Sequence, residues 1–560
     1  MANRTRETTW SELTRGYRSG FSTSPWMESA ESPELSPLKT DLDTDVCVIG
    51  AGISGLTTAY LLLLAGRKVV VIDDGPIGGG ETGRTTAHLT NALDDRYSNL
   101  ASWRGADNAK LAAESHTAAI SLVESIVRSE QIDCDFERLP GYLFQPDGDH
   151  TEKLVEELDA SRHAGLAGVR LVDRAPWKEF DTGRCLVFPD QAEFHPLRYL
   201  NGLARAIQRL GGTIHTGTRV VQIDGEDPVR LETGGPHITA REVVHATNAP
   251  LDAPAGIYLK EFPYRTYVIA ASIPKGSVAA GLYWDNDDPY HYVRLQKTDA
   301  EDLLIVGGED HPTGKADNAD ERYGRLEEWT RKRFSRLGEV RYVWSGQVLE
   351  PVDGLALIGP YLDRPHQYII TGDSGNGMTH GTLGARLVSD LILGKVNRWA
   401  TAYDPMRIPK NVRQFVEMGV PAASSYARRV TVGKPEGMVD VGLFEGEIVL
   451  EDGKQVAVSR DASGREHRVL AACTHRGCIV AWNSAEMTWD CPCHGSRFAP
   501  NGELLTGPAM TPLKSVRKSE AAKPAERPKP AAAPNAANAA NAPNGKPAER
   551  RPAASGVKRN

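Results

Sequence analysis

The chain has 560 residues, of which 40% are hydrophobic and 25% charged, and its formal net charge is −8. At about 150 residues per domain, this length predicts three or four folded units and excludes a single small binding module. No apolar run reaches the roughly 18 residues of a membrane span, and residues 1–20 lack the apolar stretch of a secretory signal. We therefore expect a cytoplasmic protein without a membrane span.

The N-terminal part of the sequence predicts an arm followed by an α/β unit. Residues 1–40 are polar, and Trp26 and Leu35 are expected to dock this arm on the folded body. An apolar strand at 45–50, a glycine-rich turn, a helix and a second apolar strand at 68–73 follow. This β-α-β pattern predicts the beginning of a nucleotide-binding domain.

Later segments predict an insertion, a second domain and a tail. Aromatic, strand-like segments between about 255 and 345 predict an inserted sheet, after which strand, turn and helix signals return and end near residue 425. Short strands separated by turns predict a small all-β domain over 430–516. Residues 518–560 hold 14 Ala, seven Pro and five Asn, with nine Lys/Arg against three Glu. Too little apolar surface remains there to fold, so we predict a disordered tail with a charge of +6.

The glycine-rich turn carries a dinucleotide-binding motif. It reads Gly50, Ala51, Gly52, Ile53, Ser54, Gly55. Gly50 permits a tight turn, Gly52 lets the backbone approach a pyrophosphate, and Gly55 allows the helix to pack closely on the strand. Asp73 ends the next strand, 18 positions after Gly55, where its carboxylate would bind a ribose. The motif predicts a bound dinucleotide and does not by itself distinguish NAD from FAD.

Further segments resemble the glycine/D-amino-acid oxidase (DAO) family of FAD-dependent oxidoreductases across residues 45–400. The segments that carry the resemblance are 78–91, 192–224, 243–250, 350–360 and 368–394. The resemblance implies that the dinucleotide is FAD. It also implies cofactor contacts from Arg84, Thr85, Thr86, Val220, Gly375, Gly377 and Met378.

The sequence departs from the family where a substrate carboxylate would be held. The aromatic-Gly-Arg typical of the family reads Trp344-Ser345-Gly346-Gln347 here, so the expected Arg is missing. Arg265 and Arg294, in the predicted inserted sheet, are candidates to replace it. Charged residues that alternate on a strand more commonly form a solvated face.

Two histidines lie in segments expected to face the flavin. His88 and His380 could serve as a general base, as a donor to the flavin or as a covalent attachment point. The alternative is a structural imidazole whose nitrogens are satisfied by the backbone. The catalytic residue therefore stays unknown at this stage.

The cysteines indicate a cofactor site near the C-terminus. Four of the seven fall within residues 473–493, whereas Cys47, Cys134 and Cys185 are scattered and are interpreted as structural. A secreted, disulfide-stapled scaffold would be short and rich in cysteine throughout, which this chain is not.

The cysteine cluster forms two arms that can bind metal. Cys473 and His475 form one arm, Cys491 and His494 the other, and fifteen residues separate the arms. Each arm offers one thiolate and one imidazole. A zinc site is the rival interpretation, but zinc would leave the additional cysteine of each arm unexplained.

The two arms closely resemble those of the Rieske [2Fe–2S] domain. The resemblance implies that Cys473 and Cys491 bind one iron and that His475 and His494 bind the other. It further implies a disulfide between Cys478 and Cys493, a hydroxyl donor to the cluster at Ser496, and a third covering loop at 507–509. Neutral imidazoles would place the reduction potential roughly between −150 and +300 mV, above that of all-cysteine ferredoxins.

Together these interpretations predict an α/β Rossmann-like FAD-binding domain over residues 41–425 with an inserted antiparallel β-sheet substrate domain, followed by a small all-β Rieske domain. A flavin can exchange two electrons, whereas a Rieske cluster exchanges one. We expect an FAD-dependent oxidoreductase that oxidises a small molecule and passes single electrons through the cluster to an unknown acceptor. The flavoprotein resemblance suggests an amine or amino acid as substrate.

Other functions remain open from sequence alone. The chain could transfer electrons with a protein partner and have no substrate of its own, electrons could run from cluster to flavin, or the basic tail could serve a redox sensor or scaffold. The tail has no aromatic residue to stack on bases, so we expect no nucleic-acid partner. Covalent attachment of FAD and the oligomeric state are not predicted.

Overall fold

The structure, a computed structural model, describes residues 19–145, 151–251, 255–315, 318–361, 363–409, 433–435, 440–461 and 463–517. The first 18 residues of the predicted arm and the predicted disordered tail lie outside the described residues. Within these ranges no helix has the length and apolar character needed to cross a membrane.

The described residues form ten α-helices, 25 strands and one 3-10 helix, Glu81–Arg84. The helices are α1 Pro25–Ser29, α2 Ile53–Leu64, α3 Tyr97–Arg104, α4 Ala106–Ser129, α5 Thr151–His163, α6 Pro196–Arg209, α7 Ala255–Tyr258, α8 Ala319–Arg333, α9 Gly377–Ile392 and α10 Ala400–Tyr403. The strands up to the end of the first half are β1 Leu42–Ile49, β2 Val69–Ile72, β3 His88–Leu89, β4 Glu137–Phe144, β5 Arg170–Val172, β6 Cys185–Glu193, β7 Thr213–His215, β8 Gln222–Asp224, β9 Val229–Glu232, β10 His237–His245, β11 Glu261–Ile273 and β12 Leu282–Trp284. The remaining strands are β13 His291–Gln296, β14 Asp302–Pro312, β15 Val340–Pro351, β16 Leu357–Pro360, β17 Gln367–Thr371, β18 Lys434–Pro435, β19 Gly446–Glu451, β20 Lys454–Arg460, β21 Glu466–Leu470, β22 Ala481–Asn483, β23 Thr488–Asp490, β24 Arg497–Phe498 and β25 Leu504–Thr506.

The first sheet is the nucleotide-binding core. Its central strands run in the order β16-β17-β10-β1-β2-β7, and every neighbouring pair except β16–β17 is parallel. β2 is a buried Val/Ile run, as expected for a strand covered on both faces. α2, which follows the glycine-rich turn, packs against α9 from the far end of the domain. The predicted Rossmann-like unit, which the chain leaves and re-enters, is confirmed.

The second sheet has nine strands and is wider than the sequence predicted. Its order is β15-β11-β14-β13-β12-β4-β6-β3, with β5 beside β6. The strands β3 to β6 precede the predicted insertion and were not recognised as part of it. All its pairs are antiparallel except β12 with β4. The second sheet is therefore built from two insertions into the nucleotide-binding core, one between β2 and β7 and one between β10 and β16.

The C-terminal region is the predicted small all-β domain. It consists of two four-stranded sheets, β18-β19-β20-β21 and β22-β23-β24-β25. The residues 473–478 lie between β21 and β22, and the residues 491–496 lie between β23 and β24. The first arm thus lies in the connection between the two sheets, and the second connects two neighbouring strands of the β22-β23-β24-β25 sheet.

The described part of the N-terminal arm docks on the body through its aromatic residue. Trp26 is 1% exposed, and its indole Nε1 donates a hydrogen bond of 2.7 Å to the carbonyl of Thr85. Leu35 packs, partly buried, against the same core. The arm therefore supports the segment predicted to lie along the flavin.

Candidate functional site

A large cavity extends from the glycine-rich turn to the C-terminal domain. Its empty volume is about 1970 Å³, open solvent at its mouth included. All the cofactor-contacting residues predicted from sequence line it except Ala51 and Gly55. Those that line it are Gly50, Gly52, Ser54, Asp73, Arg84, Thr85, Thr86, Val220, Gly375, Gly377 and Met378.

The glycine-rich turn has the close contacts that its glycines predict. Gly50 has a φ of +111°, and a Cβ there would lie 2.3 Å from the carbonyl oxygen of Ala246. A Cβ on Gly55 would lie 1.9 Å from the carbonyl oxygen of Gly50. A side chain at position 50 would clash with the segment that follows β10, and one at position 55 would push α2 away from the glycine-rich turn. Gly55 therefore acts through packing, which explains why it does not line the cavity.

The cavity fits a dinucleotide at its glycine-rich end. The N-cap of α2, Gly52, has no side chain to cap the helix. The Ile53 amide donates a 3.3 Å hydrogen bond to Thr82 Oγ1, so the amides that follow it in the first turn are the ones offered to an anion. A Cβ on Gly52 would lie 3.1 Å from Thr82 Oγ1 and would fill this cradle. The Asp73 carboxylate lines the cavity and accepts hydrogen bonds of 2.7 Å from the amides of Ala51 and Gly75. This arrangement suits a pyrophosphate on the helix and a ribose on Asp73.

A second helix N-terminus also lines the cavity. The N-cap of α9, Asn376, also makes no side-chain capping hydrogen bond, and Gly375, Gly377 and Met378 line the cavity beside it. This end would hold the flavin ring, as the resemblance implies.

Two cavity-lining carboxylates lie near the flavin end. Burial and the neighbouring Asp95 raise the pKa of Asp94 to about 7. Burial and the charge of Glu81 raise the pKa of Asp373 to about 7. Tyr290 contributes to the same wall, with its hydroxyl 3.5 Å from Asp94 Oδ2. The wall therefore includes two acidic groups, and it lacks the basic Arg that the family would carry at position 347.

His88 and His380 both line the cavity, and they differ in the number of ring nitrogens that have a hydrogen-bond partner. His380 Nδ1 lies 2.7 Å from the carbonyl oxygen of Asp373, and His380 Nε2 lies 3.1 Å from His116 Nε2. Since a carbonyl only accepts, His380 Nδ1 carries the proton and Nε2 accepts from His116. Both nitrogens of His380 therefore have hydrogen-bond partners, which favours the interpretation of His380 as a structural residue.

His88 keeps one nitrogen available. Its Nδ1 lies 3.0 Å from Thr86 Oγ1, whereas its buried Nε2 has no hydrogen-bond partner among the described residues. Burial and the charge of Arg294 lower the pKa of His88 to about 3, so the ring is neutral. The rings of Trp284 and Tyr292 lie 5.9 Å from it. His88 can therefore accept a hydrogen bond from a ligand in the cavity.

The two arginine candidates lie outside the cavity wall. Arg265 Nη2 forms a buried ion pair of 2.9 Å with Asp490, and its Nη1 donates to Ser345 Oγ. Arg294 is buried beside Glu193 and donates to the carbonyls of Thr86 and Ala87. Arg265 holds the C-terminal domain, and Arg294 holds the segment that includes His88.

The four candidate metal ligands come together at the tips of their two loops. The imidazole rings of His475 and His494 have centroids 4.9 Å apart, and Tyr258 of α7 contacts both rings at 4.6 and 4.9 Å. A hydrogen bond with Cys491 lowers the pKa of the Cys473 thiol. Burial lowers the pKa of His494 to about 3, which keeps the imidazole in the neutral form that binds metal.

This donor set fits a Rieske cluster. The buried Nδ1 of His494 has no hydrogen-bond partner among the described residues, as expected for an atom that would bind iron. Cys478 and Cys493 form a disulfide that joins the two loops, with Cα atoms 6.5 Å apart. The disulfide accounts for the additional cysteine in each arm, which a zinc site would not. Ser496 Oγ accepts a hydrogen bond of 3.0 Å from the amide of Ala509, which ties the third loop to the second.

The cavity and the metal centre meet at Gln347. Its side chain is 1% exposed and lines the cavity, and its Nε2 donates a 3.1 Å hydrogen bond to the carbonyl of Gly495. Gly495 directly follows His494. The residue that stands where the family carries Arg therefore connects the flavin end of the cavity to the loop of a metal ligand.

Three buried ion pairs fix the all-β domain on the flavoprotein part. They are Arg84–Glu486 at 3.0 Å, Arg265–Asp490 at 2.9 Å and Arg497–Glu81 at 3.1 Å. Removing one member of such a pair would leave the other charged and buried, at a cost of about 3–5 kcal/mol. The sequence reasoning missed these acidic partners, because an isolated carboxylate on a strand or turn gives no signal of its partner.

These features define a class of protein: a flavin-dependent oxidoreductase that carries an iron–sulfur centre in a docked domain. The chain belongs to the FAD-dependent oxidoreductase (DAO) family, whose sequence profile matches residues 45–391, and the Rieske [2Fe-2S] domain profile matches residues 443–517. Both resemblances predicted from sequence are confirmed. The protein binds FAD and a Rieske [2Fe–2S] cluster.

Individual relatives agree with this assignment. The Rieske 2Fe-2S iron-sulfur protein YhfW of Bacillus subtilis is 32% identical over 498 residues, which is 88% of this chain and 97% of the relative. The gamma-glutamylputrescine oxidoreductase of Escherichia coli is 27% identical over 66% of this chain and 89% of its own length. The glycine oxidase structure from Geobacillus kaustophilus, at 19% identity, superposes with a TM-score of 0.57 over 65% of this chain and 99% of its own. The glycine oxidase likeness shows the fold of the flavoprotein part.

Proposed function

We propose that this protein oxidises a cationic amine at FAD and passes the electrons one at a time through the Rieske cluster to an external acceptor. The contact between Gln347 and Gly495 carries the proposal, because it joins the wall of the flavin cavity to the loop of His494. FAD supplies two-electron acceptance and the cluster supplies one-electron transfer when both are bound.

The cavity wall supports an amine over an amino acid. Gln347 replaces the Arg that would hold a carboxylate, and its Oε1 is a buried acceptor without a hydrogen-bond partner among the described residues. In their ionised forms, Asp94 and Asp373 would repel a substrate carboxylate and attract an ammonium group. The E. coli relative at 27% identity is named for an amine substrate, gamma-glutamylputrescine.

His88 is the residue proposed to contact the reacting nitrogen. Its neutral ring has a buried Nε2 without a hydrogen-bond partner among the described residues, so this nitrogen can accept a hydrogen bond from the amine. The neighbouring rings of Trp284 and Tyr292 exclude water from that atom. Arg294 orients the segment, and His380 stays a weaker candidate because both of its nitrogens have partners.

Cys473, His475, Cys491 and His494 are the proposed iron ligands, and replacing one of them tests the electron route. In Cys491→Ser, we expect the cluster's electron paramagnetic resonance (EPR) signal to disappear while the FAD absorbance remains. An amine that bleaches the flavin of the native protein should still bleach it in this variant. Reduction of cytochrome c, used as a one-electron acceptor, should fall at least tenfold.

The matched control is Cys134→Ser, which replaces a buried free cysteine outside the metal centre. It should keep both cofactors and the native rate of cytochrome c reduction. If Cys491→Ser reduced cytochrome c at the native rate, the route through the cluster would be refuted.

A cytoplasmic location and the lack of a nucleic-acid partner stay predictions.

A further inference from the structure

The all-β domain contributes a wall to the dinucleotide cavity. Its segment 504–510, which comprises β25 and the third loop, supplies Leu504, Leu505, Thr506, Gly507, Ala509 and Met510 to the lining. This segment was expected only to cover the metal centre. It also faces the cavity that is expected to hold the dinucleotide.

The position of this wall along the cavity follows from Asp73. In a dinucleotide site of this type, the acidic residue that ends the second strand binds the ribose. The adjacent Asp74 pairs at 2.5 Å with Arg219, whose Nη2 also donates a 2.6 Å hydrogen bond to the carbonyl of Leu504. The segment 504–510 therefore lies at the ribose and adenine end.

An apolar surface at this end is shared by the two domains. Val220, Ile49 and Ile72 belong to one buried cluster, against which Leu251 and Met510 pack. Gly507 lies close to Leu251, since a Cβ on Gly507 would be 2.8 Å from Leu251 Cδ2. Such a surface suits the face of an adenine ring, and Met510 is its contribution from the all-β domain.

We propose that the Rieske domain forms part of the FAD site, with Met510 packing against the adenosine half of FAD. The three buried ion pairs hold this wall in place. The same loop reaches the metal centre through the Ala509 amide and Ser496 Oγ, so one short segment separates the two cofactor sites. Retention of FAD then depends on a domain outside the flavoprotein fold.

The test measures FAD binding by the full-length protein after its flavin has been removed and its cluster retained. Met510→Glu places a carboxylate in the apolar surface proposed to hold the adenine ring, and Met510→Ala removes the apolar contact. We expect the Kd for FAD, measured by quenching of flavin fluorescence, to rise roughly tenfold or more in Met510→Glu and less in Met510→Ala. The visible and EPR spectra of the cluster should be native in both, which shows that the domain is folded.

The matched control is Thr511→Ala, because Thr511 is the next residue, is exposed and does not line the cavity. It should bind FAD with the native Kd. Native FAD binding by both Met510 variants would overturn the proposal, as would an equal loss of affinity in Thr511→Ala. If Met510→Glu loses its cluster spectrum, Met510→Ala decides the question.

Discussion

Gln347 shows how one residue can change both the chemistry and the architecture of a family site. Its Oε1 is buried without a hydrogen-bond partner among the described residues, and its Nε2 donates to the Gly495 carbonyl. An arginine there would bring a positive charge into the cavity that Asp94 and Asp373 also line. The sequence identified the departure, but only the fold showed that the new side chain touches the metal-binding domain.

Restoring the family's charge should change which ligands bind. In Gln347→Arg, we expect acetate to bind at least tenfold more tightly than in the native protein, because a guanidinium holds a carboxylate bidentately. Perturbation of the flavin absorption reports this binding. Gln347→Met, which has no charge, serves as the control, and equal acetate affinity in all three proteins would contradict the assignment.

The buried carboxylates predict a pH dependence of substrate binding. Asp94 has a raised pKa of about 7, so it is neutral below that pH and anionic above it. Because an ammonium group binds the anionic form, the KM of a cationic amine should fall as the pH rises through 7. Asp94→Asn should weaken binding at high pH and flatten this part of the profile. An unchanged profile in the variant would assign the dependence to another group.

Ser496 is predicted to tune the cluster. Its hydroxyl forms a hydrogen bond that lowers the pKa of the Cys473 thiol, which means that it stabilises negative charge on that sulfur. Reduction adds negative charge to the cluster, so Ser496→Ala should lower its reduction potential. A shift of about 60 mV corresponds to a tenfold change in the one-electron equilibrium constant. An EPR-monitored redox titration measures the shift, and an unchanged or higher potential would contradict this role.

At the scale of elements, the ion pairs explain how a separate domain becomes part of an active site. Asp490 of β23 and Arg265 of β11 form a pair whose side chains are 2% and 1% exposed. β11 belongs to the sheet expected to bind substrate, yet its arginine serves domain docking. Sequence patterns show which side chains a strand carries, but the identity of a partner 225 residues away depends on the folded structure.

Breaking this pair should destabilise the docked arrangement. Asp490→Ala leaves Arg265 charged and buried, so we expect a loss of about 3–5 kcal/mol, measured by urea unfolding followed through the cluster absorption. The double variant Arg265→Met/Asp490→Leu removes both charges and should recover most of that loss. A double variant as unstable as the single one would show that the charges themselves are needed.

At the scale of the whole molecule, short sequence motifs predicted the two kinds of domain and their cofactors. The glycine-rich turn, Asp73 and the two cysteine arms are short motifs whose chemistry requires particular residues at fixed spacing, so they could be identified from the chain alone. The strands β3 to β6 carried no such constraint, and their place in the second sheet depends on long-range pairing. The shared cavity could not be predicted, because the residues 504–510 and Val220 meet only after both domains have folded.

The most direct test of the account follows both cofactors while one substrate is added. An amine that reduces the flavin should be mixed anaerobically with the full-length protein, and flavin absorption and the cluster's EPR signal recorded together. We predict that the flavin bleaches, that the cluster is then reduced, and that the cluster of FAD-free protein does not respond to the same amine. A bleached flavin beside a cluster that stays oxidised, or a cluster reduced equally well without FAD, would contradict electron transfer from substrate through FAD to the cluster.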